Sequence, residues 1–101
     1  MEYNKLVRDK IPIILRRKGL KYKFHVANNQ EYWQKLKEKL GEEVEEFMKC
    51  ATDEELADIL EVIYAIIDFK KINKNDLEIR RNKKAKERGK FKKKLILEEV
   101  S

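Results

Sequence analysis

The scarcity of turn-forming residues is the strongest constraint on how this chain can fold. Only 3 glycines and 1 proline occur in 101 residues, while 44% of the residues are charged and 42% are apolar. That combination favours long, solvated helices over a sheet protein with many turns. The length suits one small domain with a modest core, so we predict a single domain over residues 1–101.

Local start and stop signals divide the chain into helices. Pro12 suits the first turn of a short helix that Gly19 closes, because proline is favoured at helix starts and glycine just after helix ends. The candidate N-caps of three further helices are Asn28 or Asn29, Thr52 or Asp53, and Asn73 or Asn75. The four helices are expected to cover approximately residues 12–18, 29 or 30 to 50, 53 or 54 to 71, and 74 or 76 to 89.

Two short segments are strand candidates in this otherwise helical chain. Basic and apolar side chains alternate from Lys21 to Val26, and an apolar run occupies residues 95–97 near the end. The two can pair as a small hairpin, although a two-stranded ribbon needs a helix packed on it to persist. The expected fold class is therefore all-α, an antiparallel helical bundle that allows a small β-hairpin.

Acidic side chains flank the apolar stripe of both long helices. At about 100° per residue, Glu43 and Glu46 lie together beside the stripe of the first helix. Glu55 and Asp58 lie in the same way on the second. The tight turn between the helices makes them antiparallel neighbours, so the four carboxylates should converge at the edge of one groove.

Converging carboxylates beside an apolar core need a counter-charge. Mg²⁺ or Mn²⁺ can provide it, since both prefer hard oxygen ligands. The second helix is apolar almost all round, so Asp58 should be at least partly buried, which strengthens this interpretation. The alternative is a solvated acidic surface of the kind that many helices carry, with Lys39 only neutralising Glu43.

The charge is distributed unevenly along the chain. Residues 38–61 carry 10 acidic and 2 basic side chains, whereas residues 1–37 and 70–94 are strongly basic. An acidic block between basic flanks suggests a polyanionic ligand held through divalent cations. A single cysteine excludes an intrachain disulfide, and neither a signal peptide nor a membrane-spanning run is evident. We therefore expect a cytoplasmic protein without a membrane partner.

Four motifs resemble a known superfamily. Residues 42–46, EEVEE, fit the EExxE motif of the all-α nucleotide pyrophosphohydrolases, which include MazG, dimeric dUTPases and phosphoribosyl-ATP pyrophosphohydrolase. Residues 55–58, ELAD, fit the downstream ExxD motif of that superfamily. Residues 3–12, YNKLVRDKIP, and residues 83–91, KKAKERGKF, are similar to a small MazG-like subgroup.

The resemblance implies a reaction and a set of ligands. The reaction is hydrolysis of a nucleoside triphosphate, standard or non-standard, to a monophosphate and pyrophosphate, and its expected role is housecleaning of nucleotides. Mg²⁺ would be required, with Mn²⁺ as a substitute. The implied metal ligands are Glu43, Glu46, Glu55 and Asp58. Glu42 is a further or outer acid, and the catalytic carboxylates would be Glu42, Glu43 and Glu46.

Basic residues in and near these motifs are the candidates for binding phosphate. They are Lys5, Arg8, Lys10, Lys39, Lys83 and Arg88. Superfamily members generally build their helical bundle across subunits, so the resemblance also implies a homo-oligomer, a dimer or tetramer, that completes a four-helix bundle.

Two other classes of function compete with the enzyme. The basic stretch 80–94 and a pI near 9.4 suit a helical module that binds nucleic acid without catalysis. Nucleic acid is the less favoured partner, because it leaves the acidic cluster unexplained and the stretch lacks interleaved aromatic side chains. The third class is an interaction protein whose acidic and basic side chains form salt bridges between subunits.

Overall fold

The computed structural model describes residues 4–101, so Tyr3 of the opening motif lies outside the described residues. The four helices are α1 (Ile11–Arg17), α2 (Asn29–Cys50), α3 (Asp53–Phe69) and α4 (Lys74–Arg88). Their bounds lie within about two residues of the sequence-based expectation. The prediction of an all-α fold is confirmed.

Each of the three longer helices begins at a side-chain cap. The side-chain oxygen of Asn28 accepts a hydrogen bond from the backbone N–H of Glu31 at 2.9 Å. Thr52 caps α3 and Asn73 caps α4 in the same way, at 3.3 Å and 3.1 Å. Each bond satisfies a backbone donor that the first turn of a helix leaves without a partner.

The strand predictions for residues 21–26 and 95–97 are wrong, and no hairpin forms within residues 4–101. Val26 is 98% exposed, and the three apolar side chains of residues 95–97 are each at least 80% exposed. Alternation of side chains is not sufficient for a strand, because an uncovered two-stranded ribbon is only marginally stable in water.

A two-residue connection joins α2 to α3 and folds them back on each other. Ala51 adopts the left-handed conformation, with φ at 52°, and its N–H bonds to the carbonyl oxygen of Phe47 at 2.7 Å. Thr52 then starts α3. Because the connection is so short, the packed helices run antiparallel, and residues at equal distances from the turn face each other.

The core lies between α2 and α3. Leu36, Val62 and Ile67 are buried. Trp33 stacks on Phe69, with ring centroids 5.7 Å apart and planes 9° from parallel. These contacts hold together the end of the helix pair that lies away from the turn.

The chain divides into two compact units, of which the first ends at Lys70 and the second comprises Lys71–Ser101. The second unit contains α4, on which an arginine, Arg81, pairs with Glu78. None of the α4 residues is buried. Across residues 4–101, none of the helices is long and apolar enough to cross a membrane.

Candidate metal centre

Three of the four predicted ligands meet where α2 faces the first turns of α3. Glu43 of α2 and Glu55 and Asp58 of α3 each offer one carboxylate oxygen, and these three atoms all lie within 4.8 Å of one another. We call these three residues the carboxylate cluster. The short connection and the helical period account for this arrangement, as expected from the sequence.

The fourth predicted ligand, Glu46, belongs to an adjoining group. One carboxylate oxygen of Glu46, the Cys50 sulfur and one Glu55 oxygen also lie within 4.8 Å of one another. Glu55 is therefore common to both groups. Cys50 is exposed, and the sequence analysis did not place it in this group. The signal that could have done so was its position one helical turn after Glu46.

The acids of the two helices repel one another at Glu55. Loss of hydration raises the pKa of Glu55, and the negative charges of Asp58, Glu43 and Glu46 raise it further. Glu55 thus lies where negative charge accumulates. A cation bound there would relieve this repulsion.

The donor set fits a magnesium or manganese ion. Mg²⁺ binds oxygen at about 2.0–2.1 Å, so two of its ligand atoms are at most roughly 4.2 Å apart. Adjacent ligands of an octahedral ion are about 2.9 Å apart, so oxygens that lie within 4.8 Å of one another would have to draw together by up to about 2 Å, which is within the reach of side-chain rotation. Three protein oxygens also leave coordination positions for water or phosphate.

Lys39 partly neutralises the α2 side of the site. Its Nζ lies 3.1 Å from Oε1 of Glu43 and 3.4 Å from Oε1 of Glu42. Nζ of Lys5 lies 3.3 Å from the same Glu42 oxygen. Partial burial raises the pKa of Glu42, but the charges of Lys39 and Lys5 outweigh burial and hold the pKa below its ordinary value. Glu42 lies outside the carboxylate cluster, which fits an outer role.

Arg8 contacts the α3 side of the site. Its Nη2 lies 2.7 Å from Oδ1 of Asp58, fifty residues later in the chain. Asp58 is partly buried, as predicted, with 39% of its side chain exposed. Arg8 supplies one counter-charge for Asp58, so the partial burial of Asp58 does not by itself require a bound metal.

The remaining basic candidates lie on other elements. Lys10 is the exposed N-cap residue of α1. Lys83 and Arg88 lie on α4, in the second compact unit, and both are exposed. Contacts of these three residues with phosphate stay predictions.

A surface depression at the start of α2 does not involve the carboxylate cluster. It is lined by Asn28, Gln30, Glu31, Trp33 and Gln34. Its one acid, Glu31, lies 2.9 Å from Nε2 of His25. Trp33 packs on Phe69, which supports a packing role over stacking on a nucleobase.

Comparison of the chain with protein-family models, with curated proteins and with solved structures finds no match. The resemblance to the nucleotide pyrophosphohydrolases therefore rests on the four sequence motifs. The geometry of the carboxylates is a separate observation, because it comes from how α2 and α3 pack.

Proposed function

We propose that this chain is a magnesium-dependent nucleotide pyrophosphohydrolase. It would cleave a nucleoside triphosphate between the α and β phosphates, releasing a monophosphate and pyrophosphate. The observation that carries the proposal is the carboxylate cluster, in which Glu43, Glu55 and Asp58 bring three oxygens within 4.8 Å of one another. The motif resemblance supplies the reaction, and the cluster supplies the metal ligands that this reaction needs.

The side chains around the cluster have complementary roles in this proposal. A magnesium ion held there would supply charge to polarise phosphate oxygens and to lower the pKa of a water molecule. Glu43, Glu55 and Asp58 hold the ion, and Glu46 lies beside them as a further ligand or proton acceptor. Lys39 and Arg8, which lie at the edges of the cluster, offset the negative charge of the polyphosphate.

Exposed apolar side chains on α3 support the proposed homo-oligomer. Leu56, Leu60 and Tyr64 recur every four residues, so they form one stripe, and each is between 46% and 49% exposed. A stripe of this kind is suited to packing on a helix of another copy. A dimer or tetramer joined there would complete a four-helix bundle around the α2–α3 pair.

The test is pyrophosphate release from a panel of standard and modified nucleoside triphosphates. The wild-type chain should release pyrophosphate with magnesium and not with a chelator. Asp58→Asn should reduce the rate by about 100-fold or more, since loss of even an outer-shell partner of a metal site typically costs 10–100-fold. The preferred nucleotide in the panel would define the substrate.

The matched control is Glu61→Gln. Glu61 lies on α3 one turn after Asp58, is exposed and belongs to neither acidic group. Its replacement removes the same charge from the same helix and should leave the rate unchanged. Absence of pyrophosphate release from every nucleotide, or equal losses in the two variants, would refute the proposal.

One observation favours a second candidate, a module that binds nucleic acid. Helix α4 has no buried residue and ends in a basic turn that contains Lys86 and Arg88. This candidate predicts binding to nucleic acid that weakens steeply with salt and does not respond to Asp58→Asn.

A further inference from the structure

The contact between Arg8 and Asp58 joins the N-terminal segment to the carboxylate cluster. Residues 4–8 precede α1 and are not helical, yet their basic side chains reach both long helices. Arg8 lies 2.7 Å from an oxygen of Asp58 on α3, and Lys5 lies 3.3 Å from an oxygen of Glu42 on α2. Two ion pairs thus join this segment to α2 and α3 beside the carboxylate cluster.

Arg8 and a bound metal ion would compete for the carboxylate of Asp58. The guanidinium contacts Asp58 through one hydrogen bond, from Nη2 to Oδ1, rather than through a two-point fork. Its side chain is 57% exposed, and that of Asp58 is 39% exposed. Ion pairs this open to water are weak, so a divalent ion held by three carboxylates has the advantage in a competition for Asp58.

We propose that Arg8 is the resident counter-cation of Asp58 in the metal-free protein and that magnesium binding releases it. This inference rests on the proposed function, because it takes the carboxylate cluster as the metal site. Once released, the guanidinium would be free to bind a phosphate group of the substrate. Its planar fork suits phosphate oxygens, so the same side chain would neutralise Asp58 before the metal binds and would bind the substrate afterwards.

The first test follows the guanidinium of Arg8 by NMR in the wild-type protein. The ¹⁵N signals of Arg8, identified by their loss in Arg8→Lys, should move toward the position of free arginine as magnesium saturates the protein. The signals of Arg17, an exposed arginine of α1, should not move. Arg8 signals that stay unchanged at saturating magnesium would overturn the proposal.

The second test measures magnesium affinity by calorimetry. Arg8→Gln removes the competing cation and should tighten magnesium binding by up to about fivefold, the range expected for an exposed ion pair. Arg17→Gln removes an equal charge from α1 and should leave the affinity unchanged. Unchanged or weaker binding by Arg8→Gln would show that the arginine does not compete with the ion.

The two proposals fail in different ways. If the wild-type protein binds no magnesium, both the proposed function and this inference are wrong. If magnesium binds and pyrophosphate is released while the Arg8 signals stay in place, the function holds and only the inference is wrong.

Discussion

Nζ of Lys39 lies 3.1 Å from Oε1 of Glu43, one helical turn later on α2, and the two side chains are only 19% and 12% exposed. Asp58 has a similar contact with Arg8. The third carboxylate of the cluster, Glu55, is instead acted on by acids of both helices. The cluster therefore combines two carboxylates that a cation of the chain already partly neutralises with one whose ionised form is disfavoured by loss of hydration and by repulsion.

Removing the cation beside Glu43 should destabilise the metal-free protein. We expect Lys39→Gln to lower the free energy of unfolding by about 1 kcal/mol, because it leaves a largely buried carboxylate without its nearest counter-charge. Urea denaturation in the presence of a chelator measures this change. Magnesium should restore most of the loss, since it supplies the missing charge.

Lys35→Gln is the control for Lys39→Gln. Lys35 lies on the same helix and pairs with Glu38 at 3.2 Å, but Glu38 is 51% exposed and lies outside the cluster. Lys35→Gln should lower the free energy of unfolding by less than Lys39→Gln does, and magnesium should not offset this smaller decrease. Equal losses for the two variants would show that Lys39 is an ordinary surface lysine.

Glu55→Gln should stabilise the metal-free protein at neutral pH. Because the pKa of Glu55 is raised on folding, the folded state binds its proton more readily, and stability falls as pH rises through the folded pKa. At pH 7 the ionised Glu55 therefore destabilises the fold, and glutamine should raise Tm. The gain should vanish near pH 4, roughly where a glutamate is protonated in the unfolded chain as well.

Glu54→Gln is the matched control for Glu55→Gln. Both residues lie in the first turn of α3, so both variants lose the same favourable interaction with the helix dipole. Glu55→Gln should have the higher Tm of the two with a chelator, and the lower one with saturating magnesium. The same order under both conditions would contradict a ligand role for Glu55.

The left-handed residue in the α2–α3 connection offers a test of the turn that aligns the cluster. Ala51 has φ at 52°, a conformation that disfavours side chains and suits glycine. Ala51→Gly should raise the free energy of unfolding by up to about 1 kcal/mol. Ala57→Gly, in an exposed position of α3, should lower it by roughly 1 kcal/mol. A loss in both variants would argue against the left-handed turn.

Local signals made most of the fold predictable. Caps such as Asn28 and Thr52 act within one helical turn, so the sequence contains all the information that they need. The strand at residues 21–26 was mispredicted because a strand depends on a partner elsewhere in the chain. The buried face of α3 is not predictable in this way, since Val62 is buried whereas the equally apolar Leu60 is 49% exposed. When a helix is apolar nearly all round, its sequence pattern does not indicate which face is buried.

The convergence of the acidic side chains was predictable from the sequence, whereas their basic neighbours were not. Helical period and a short turn were enough to bring Glu43, Glu55 and Asp58 together. The contact of Arg8 with Asp58 was not predictable, because no local pattern links residues fifty positions apart. With 25 lysines and arginines in the chain, composition does not distinguish the few that reach the cluster.

The most direct test of the account is to locate a bound divalent ion with Mn²⁺ and the ¹⁵N-labelled protein. Substoichiometric Mn²⁺ should first broaden the amide signals of Glu43, Glu55 and Asp58, and excess magnesium should restore them. Asp58→Asn should require far more Mn²⁺ for the same broadening. Broadening that is spread evenly over exposed acids such as Asp76 and Glu98, or that begins away from the α2–α3 turn, would contradict the assignment of the carboxylate cluster as a metal centre.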